Sequence, residues 1–86
     1  MDVAIYPGSF DPITLGHLNI LERALDIFSE VTLLVAINPN KQPLFSLEES
    51  MQMISEAIRE LPRANVDFHD GLTVEYARQR GIRTAV

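Results

Sequence analysis

Residues 31–37 constrain the fold more than any other part of this chain. They form an almost unbroken run of β-branched and aliphatic residues, Val-Thr-Leu-Leu-Val-Ala-Ile, which is far too short to span a bilayer. Such a run is typical of a parallel strand covered on both faces, because a strand with one wet face alternates polar and apolar residues. It therefore predicts a central strand between two layers of helices.

Strand and helix patterns alternate on either side of this run. The first predicted elements are a strand at 2–6, a loop at 7–14 and a helix capped by Thr14, with Leu18, Leu21, Leu25 and Phe28 on one face. The strand at 31–37 and a loop at 38–45 follow, and then a helix that runs from the Ser46–Glu49 capping box to Pro62. The last predicted elements are a strand at 65–68, a helix at 72–80 ended by Gly81, and a strand from 82. This alternation predicts an α/β fold, a Rossmann-like parallel sheet with flanking helices.

Composition narrows the classes of function. A formal net charge of -5 argues against sequence-independent binding of nucleic acid. The chain has no cysteine, which excludes disulfides, thiolate nucleophiles and Cys-ligated zinc. Its first residues lack the basic and apolar regions of a signal peptide. We therefore expect a cytoplasmic protein that does not bind a membrane.

A turn rich in glycine and proline joins the first predicted strand to the first predicted helix at residues 7–17. A helix N-terminus presents unpaired backbone N–H groups and the positive end of the dipole, so it suits a phosphate. Ser9 offers a hydroxyl there, and Gly16 leaves space for a ligand or for packing against the sheet. His17 falls in the first helical turn, where we expect a neutral ring that donates one hydrogen bond. The spacing matches neither a GxGxxG fingerprint nor a GxxxxGK(S/T) loop, so a nucleotide site of another kind is indicated.

The loop at 38–45 leaves the next strand at the same sheet edge, so both loops are expected to line one crevice. Lys41, the one lysine of the chain, stands on that loop between two prolines and can reach a phosphate.

Asp11 is expected to hydrogen-bond its own turn rather than to ligate a cation, and His69 to be structural. The arginines at 59, 63, 78, 80 and 83 are interpreted as solvated charges. With no triad, carboxylate pair or metal-ligand spacing evident, transfer at phosphorus is favoured, because it depends mainly on positioning and charge stabilisation.

Two segments resemble a known family. Residues 8–17, Gly-Ser-Phe-Asp-Pro-Ile-Thr-Leu-Gly-His, resemble the (H/T)xGH signature of the nucleotidyltransferase superfamily. Residues 38–49, Asn-Pro-Asn-Lys-Gln-Pro-Leu-Phe-Ser-Leu-Glu-Glu, resemble a second segment found in one branch, the bacterial phosphopantetheine adenylyltransferases. The first motif alone indicates only the superfamily, and the two together indicate the branch.

The resemblance implies transfer of AMP from ATP to 4'-phosphopantetheine, which gives dephospho-coenzyme A and pyrophosphate and normally requires Mg²⁺. It implies that Ser9, Phe10 and His17 contact ATP, and that His17 stabilises the transition state at the α-phosphate. Ser9, Lys41 and Thr73 would contact 4'-phosphopantetheine. A homo-oligomer, a hexamer, is also implied.

The chain departs from the family in two respects. Members are about twice as long, so residues 1–86 are expected to be the N-terminal portion of a single nucleotidyltransferase domain. Ser50 stands where an arginine often follows the two glutamates, on a helix face expected to be exposed. Two alternatives stay open: another nucleotidyltransferase with the first motif, acting on glycerol phosphate or nicotinamide mononucleotide, and a non-catalytic nucleotide-binding fragment.

Overall fold

Strands and helices alternate along the chain in the predicted order. The computed structural model describes residues 2–37, 40 and 42–86. The elements are β1 (Val3–Gly8), α1 (Leu15–Leu25), β2 (Glu30–Ala36), α2 (Leu47–Ala57), β3 (Ala64–His69), α3 (Thr73–Arg80) and β4 (Thr84–Ala85). The α/β, Rossmann-like fold is confirmed. The main differences lie at element ends: β1 continues two residues further than predicted, and α2 ends before Pro62 is reached.

The four strands form one parallel sheet in the order β3-β2-β1-β4. In its register Ala4 lies opposite Val31 on β2, and Val31 lies opposite Ala64 on β3. From β1 the chain builds outward to β2 and β3, then returns across the sheet to place β4 on the other side of β1. The strand order thus reverses at β1, and ligands of open α/β sheets bind at the carboxyl ends of strands at such a point.

β2 is the buried centre of the sheet, as its composition predicts. Residues 31–35 are all buried, and the strand pairs with a neighbour on each side. Alternate side chains enter two separate clusters: Leu33 packs on the face covered by α1 and α2, and Leu34 packs on the face covered by α3. The structure is therefore a sheet between two helical layers.

The larger core lies between the sheet and helices α1 and α2. Its buried members are Ala4, Phe10, Leu21, Ala24, Leu25, Val31, Leu33, Val35, Ile54, Ile58 and Ala64. The predicted capping box opens α2: Ser46 Oγ accepts from the Glu49 N–H at 3.1 Å, and the Ser46 N–H donates to Glu49 Oε1 at 3.0 Å. The bonds from the backbone and hydroxyl of Ser46 lower the pKa of Glu49, because they stabilise its charged form.

Helix α3 covers the opposite face through a single large side chain. Tyr76 is buried against Ile5 and Leu34, and Gly81 ends the helix with a φ of 68°, the left-handed cap expected of a glycine. Within the described residues, no helix is long and apolar enough to cross a membrane.

A polar cluster fastens α3 to β3. The Tyr76 hydroxyl donates to Asp67 Oδ2 at 2.7 Å, and the Arg80 guanidinium lies 4.0 Å from the centre of the Tyr76 ring and 3.5 Å from the same carboxylate. Arg80 is therefore engaged with its neighbours and is not only a solvated charge, contrary to the sequence prediction.

This cluster shifts two pKa values. Burial alone acts to raise the pKa of Asp67, but the hydrogen bonds from Tyr76 and the Phe68 N–H, with the charges of Arg80 and His69, outweigh it and lower that pKa. Burial, followed by the bond to Asp67 and its charge, raises the pKa of Tyr76 to about 12. At neutral pH the cluster is therefore a charged carboxylate that accepts from a neutral phenol.

Substitution Asp67→Asn tests this cluster through the pH dependence of stability. Because the pKa of Asp67 is lower in the folded state, its charge stabilises the fold above the ordinary carboxyl pKa, and this contribution is lost as pH falls through the folded value. We expect a loss of about 1 kcal/mol at pH 7, kept small because water screens the exposed Arg80 pair, and a difference that shrinks toward pH 2. Denaturant unfolding across pH measures it, with Asp26→Asn, an exposed aspartate at the end of α1, as the control. A difference that is constant with pH would contradict this assignment.

Candidate functional site

The loop between β1 and α1 contains a phenylalanine in an unusual backbone conformation. Phe10 has a φ of 46°, in the left-handed region that bulky residues rarely adopt. Its ring is buried and packs edge-on against Tyr6, with the ring centroids 5.2 Å apart. A Cβ on Gly8 would lie 3.1 Å from Phe10 Cζ, so a glycine at the end of β1 makes room for this ring. Packing of the ring thus compensates the strain of the turn.

The burial of Phe10 limits how it can touch a ligand. The sequence predicts that this residue packs the loop against the sheet, and the structure confirms that packing. Because Phe10 as a whole is 1% exposed, neither its ring nor its backbone presents appreciable surface to a ligand in this structure. Beside it, burial raises the pKa of Tyr6, so this phenol is neutral at physiological pH.

His17 is held at the N-terminus of α1 by the cap residue of that helix. Thr14 is the N-cap, as predicted, and its Oγ1 accepts from the His17 backbone N–H at 3.3 Å. In return the Thr14 N–H donates to His17 Nδ1 at 2.9 Å, and Thr14 Oγ1 lies 3.0 Å from that nitrogen. This is a capping box in which histidine takes the place usually held by glutamate or glutamine.

These bonds assign the tautomer of His17. Nδ1 accepts the Thr14 N–H, so the proton of the neutral ring lies on Nε2. The ring also packs edge-on against Phe10, with centroids 4.9 Å apart, which restricts its rotation. His17 therefore offers one oriented N–H donor beside the first turn of a helix, the neutral form expected from the sequence.

Asp11 joins the two loops that the sequence places at one sheet edge. Its Oδ2 accepts from the Leu44 N–H at 2.6 Å, and its Oδ1 accepts from the Phe45 N–H at 3.0 Å. The structural role predicted for Asp11 is confirmed, but its partners lie in the other loop and not in its own turn. Sequence spacing carried no signal for this contact, because the partners are more than thirty residues away.

The two loops enclose a crevice of about 490 Å³ at the carboxyl ends of β1 and β2. Its lining residues are Ser9, Asp11, Val35, Ala36, Ile37, Gln42, Pro43, Phe45, Leu47 and Ser50. The prediction that both loops line one crevice is therefore confirmed. The walls combine an apolar surface with a few polar groups, as small-molecule sites usually do.

Ser50 lies in this crevice, and the prediction that it is exposed was wrong. Its side chain is only 4% exposed. Position 50 lies three residues after Leu47 and four before Ile54, so it falls on the apolar stripe of α2 and faces inward with it. The helical spacing already contained this signal.

Packing among the described residues does not require a glycine at position 16. A Cβ at this position would meet only Thr14 Oγ1, at an ordinary distance of 3.6 Å, and its φ lies outside the left-handed region. Of the two explanations offered by the sequence, packing against the sheet therefore has no support. Space for a ligand at the start of α1 stays a prediction.

Two other residues singled out in the sequence, Thr73 and His69, lie further along the sheet edge. Thr73 is the half-buried first residue of α3, which follows β3. His69 packs edge-on against Tyr76 with centroids 5.5 Å apart, in keeping with a structural role, although its Nε2 is buried and has no hydrogen-bond partner among the described residues. Lys41 lies outside the described residues.

The described part of the chain contains no ready-made ligand set for the implied metal. Residues 2–37, 40 and 42–86 contain no group of three or more His, Asp or Glu side chains placed to hold an ion. The carboxylate at the crevice, Asp11, already accepts from two backbone N–H groups. Mg²⁺ commonly takes one or two carboxylates and completes its shell with substrate phosphates and water, so such a set is not needed for a phosphate-bound ion.

A second cavity, of about 550 Å³, lies at the opposite end of the strands on the α3 face. It is lined by the first residues of β1, β2 and β4 and by the Asp67–Tyr76–Arg80 cluster. It contains none of the predicted site residues. The carboxyl edge of the sheet is therefore the candidate site.

Comparison with known proteins identifies the family of this chain. A family model described as cytidylyltransferase-like matches residues 5–86. The chain is 60% identical over 77 residues to a phosphopantetheine adenylyltransferase from Synechococcus elongatus, covering 90% of this chain and 46% of that protein. It is 50% identical over 84 residues to a phosphopantetheine adenylyltransferase from Thermotoga neapolitana, covering 98% of this chain and 52% of that protein. The resemblance inferred from the two motifs is thus confirmed, and the chain spans about half the length of these relatives.

A solved structure supports the fold. The crystal structure of a lipopolysaccharide core biosynthesis protein from Thermoplasma volcanium aligns with 99% of this chain and 72% of its own, with a TM-score of 0.76. The sequences are 24% identical, so this likeness concerns the architecture of the sheet and helices alone.

Substitution Thr14→Val tests how His17 is held. The variant keeps the shape of the side chain but removes the capping oxygen, and we expect a loss of about 1 kcal/mol in unfolding free energy. We also expect a weaker preference for the Nε2–H tautomer, measured by ¹⁵N NMR of the imidazole. Ser46→Ala removes the corresponding cap of α2 and should cost similar stability without changing the His17 spectrum. An Nδ1–H tautomer in the unsubstituted protein would contradict the assignment.

Proposed function

The chain belongs to the cytidylyltransferase-like family, and on that premise we propose that the complete protein is a phosphopantetheine adenylyltransferase. It would transfer AMP from ATP to 4'-phosphopantetheine and release pyrophosphate and dephospho-coenzyme A. The observation that carries the proposal is the oriented Nε2–H of His17 at the start of α1, next to a loop that shares a crevice with the second loop. The names of the relatives supply the substrates.

The reaction joins an oxygen of the acceptor phosphate to the α-phosphorus of ATP. The bond from that phosphorus to the oxygen bridging to the β-phosphate breaks, and its electrons leave with pyrophosphate. The described residues offer no nucleophile in the manner of a triad, so the protein acts by positioning and by stabilising charge. His17 Nε2–H and the free N–H groups at the start of α1 are donors suited to the charge that develops on the α-phosphate oxygens.

The remaining groups of the site would bind the substrates. Ser9 lines the crevice with an exposed hydroxyl suited to a phosphate oxygen, and the Phe10 backbone adjoins it. Lys41, from its place in the sequence, and Thr73, at the start of α3, are proposed to contact 4'-phosphopantetheine. Mg²⁺ would reach the site on the ATP phosphates, whose charge it neutralises. The hexamer, the cytoplasmic location and the place of residues 1–86 as the N-terminal portion of one domain stay predictions.

A panel of acceptors tests the proposed substrates. The purified complete protein, supplied with ATP and Mg²⁺, should release pyrophosphate with 4'-phosphopantetheine and not with nicotinamide mononucleotide. Glycerol phosphate supplied with CTP should likewise give no reaction. Turnover with one of these alternatives would reassign the protein within the family, and no turnover with any of them would favour a non-catalytic nucleotide-binding protein.

His17→Ala tests the role of the imidazole. We expect kcat to fall by about 100–1000-fold, the scale for losing one donor to a transition state. The variant also loses the bond from the Thr14 N–H, so stability should fall by about 1 kcal/mol or less. His17→Glu keeps a capping box without an N–H donor, and it should retain stability while turnover stays low. Near-normal turnover in both variants would exclude a catalytic role for His17.

Gly16→Ala tests whether a ligand approaches the start of α1. The added methyl group meets no close atom of the chain, so the fold should keep or slightly gain stability. If ATP lies against this backbone, its KM should rise about tenfold, the cost of displacing a contact worth one hydrogen bond. Gly81→Ala is the matched control: its φ of 68° predicts a loss of stability, and its distance from the crevice predicts an unchanged KM. An unchanged KM for ATP in Gly16→Ala would remove this position from the site.

A further inference from the structure

The segment between β2 and α2 is held in place by Asp11. Leu44 has a side chain that is 77% exposed, so packing does not fix its backbone. The bonds from the Leu44 and Phe45 N–H groups to the two oxygens of Asp11 do so instead. Hydrogen bonds to a carboxylate are stronger than those between neutral groups. One side chain of the first loop thus sets the position of the second.

These bonds lie at the wall of the crevice. Gln42, Pro43 and Phe45 line it from the second loop, and Ser9 lines it from the first. Residues 42–46 lie in neither a helix nor a strand, so the bonds that Asp11 accepts help to hold this part of the wall. The carboxylate of Asp11 therefore contributes to the width of the crevice.

The group proposed for catalysis is held by different contacts. His17 is bound by Thr14 and packs against Phe10, and neither contact involves the Asp11 side chain. A change confined to the Asp11 carboxylate should therefore leave the donor at the start of α1 in place. Binding in the crevice and chemistry at His17 can be separated by experiment.

We infer that Asp11 is a positioning residue that joins the two loops and so sets the affinity of the crevice for the acceptor substrate. The inference rests on the proposed function. The apolar part of the wall, which includes Val35, Ile37 and Phe45, fits an acceptor with an aliphatic arm better than it fits a triphosphate. The acceptor is thus the substrate whose binding should respond.

Kinetics of Asp11→Asn in the complete protein test this inference. The amide of asparagine keeps one acceptor oxygen and places an NH₂ group where the other carboxylate oxygen was, so one of the two N–H groups loses its partner. We expect KM for 4'-phosphopantetheine to rise about tenfold, with kcat and the KM for ATP changed less than about threefold. Asp26→Asn, at the exposed end of α1, is the matched control and should leave all three constants unchanged. Unchanged kinetics in Asp11→Asn, or a fall in kcat as large as the rise in KM, would overturn the inference.

A second variant removes the donor and leaves the carboxylate intact. Leu44→Pro deletes the N–H of the shorter bond at a position whose side chain is exposed. It should raise the same KM. The double variant should raise this KM no further than the more affected single variant does, because both changes break the same link. Additive effects would show that Asp11 and Leu44 act separately and would overturn the inference.

Amide hydrogen exchange gives a readout that does not need activity. In the unsubstituted protein the Leu44 and Phe45 amides should be protected, and in Asp11→Asn the amide that loses its acceptor should exchange at least tenfold faster while amides in β2 keep their rates. If no acceptor supports turnover, the proposed function fails, and the exchange rates still test the link. If these amides exchange equally fast in both proteins, the link itself is absent and the inference is overturned.

Discussion

The burial of β2 on both faces is the constraint on which the rest of this structure depends. Its backbone must pair on each side and its apolar side chains must be covered above and below, since unpaired backbone groups and exposed aliphatic groups are both costly. A strand in this position needs β1 and β3 beside it and helices on both faces. The carboxyl ends of β1 and β2 then lie next to each other, so two loops far apart in the chain meet at one edge.

At that edge, one set of bonds both closes the start of α1 and orients the donor of the candidate site. The Thr14 and His17 pair satisfies backbone groups at the start of α1, which every helix must do in some way. Because the helix is closed by an imidazole and not by a carboxylate, the same bonds leave an N–H donor oriented beside the helix N-terminus. The stability of α1 and the geometry of the candidate site are therefore coupled, and a substitution that weakens the cap also disturbs the donor.

The Asp11 link shows a different way of building a site. Leu44 and Phe45 lie outside any strand or helix, and one carboxylate supplies acceptors to both of their N–H groups at once. Phe10 anchors the first loop to the core, and Asp11 extends that anchorage to the second. The position of the crevice thus depends on the sheet, through the packing of Phe10 and then through the two hydrogen bonds that Asp11 accepts.

Much of this arrangement was predictable from local patterns. The order of the elements, the caps at Thr14 and Ser46, the glycine that ends α3 and the meeting of the two loops follow from periodicity, cap chemistry and the topology of parallel sheets. Ser50 was predicted wrongly although its spacing was informative, because the polar nature of serine was given more weight than its place on the apolar stripe. The ends of β1 and α2 were misplaced because pairing with β2 and packing on the core decide where an element stops.

Taken alone, the amino-acid sequence determined the α/β architecture, the family resemblance and the residue types of the site, since these depend on neighbours within a few positions. Only the tertiary structure decided which nitrogen of His17 carries the proton, which backbone groups Asp11 holds and that Gly16 is free of packing demands. Each of these depends on distances between atoms that the fold brings together, and such distances are not encoded in the spacing of residues along the chain.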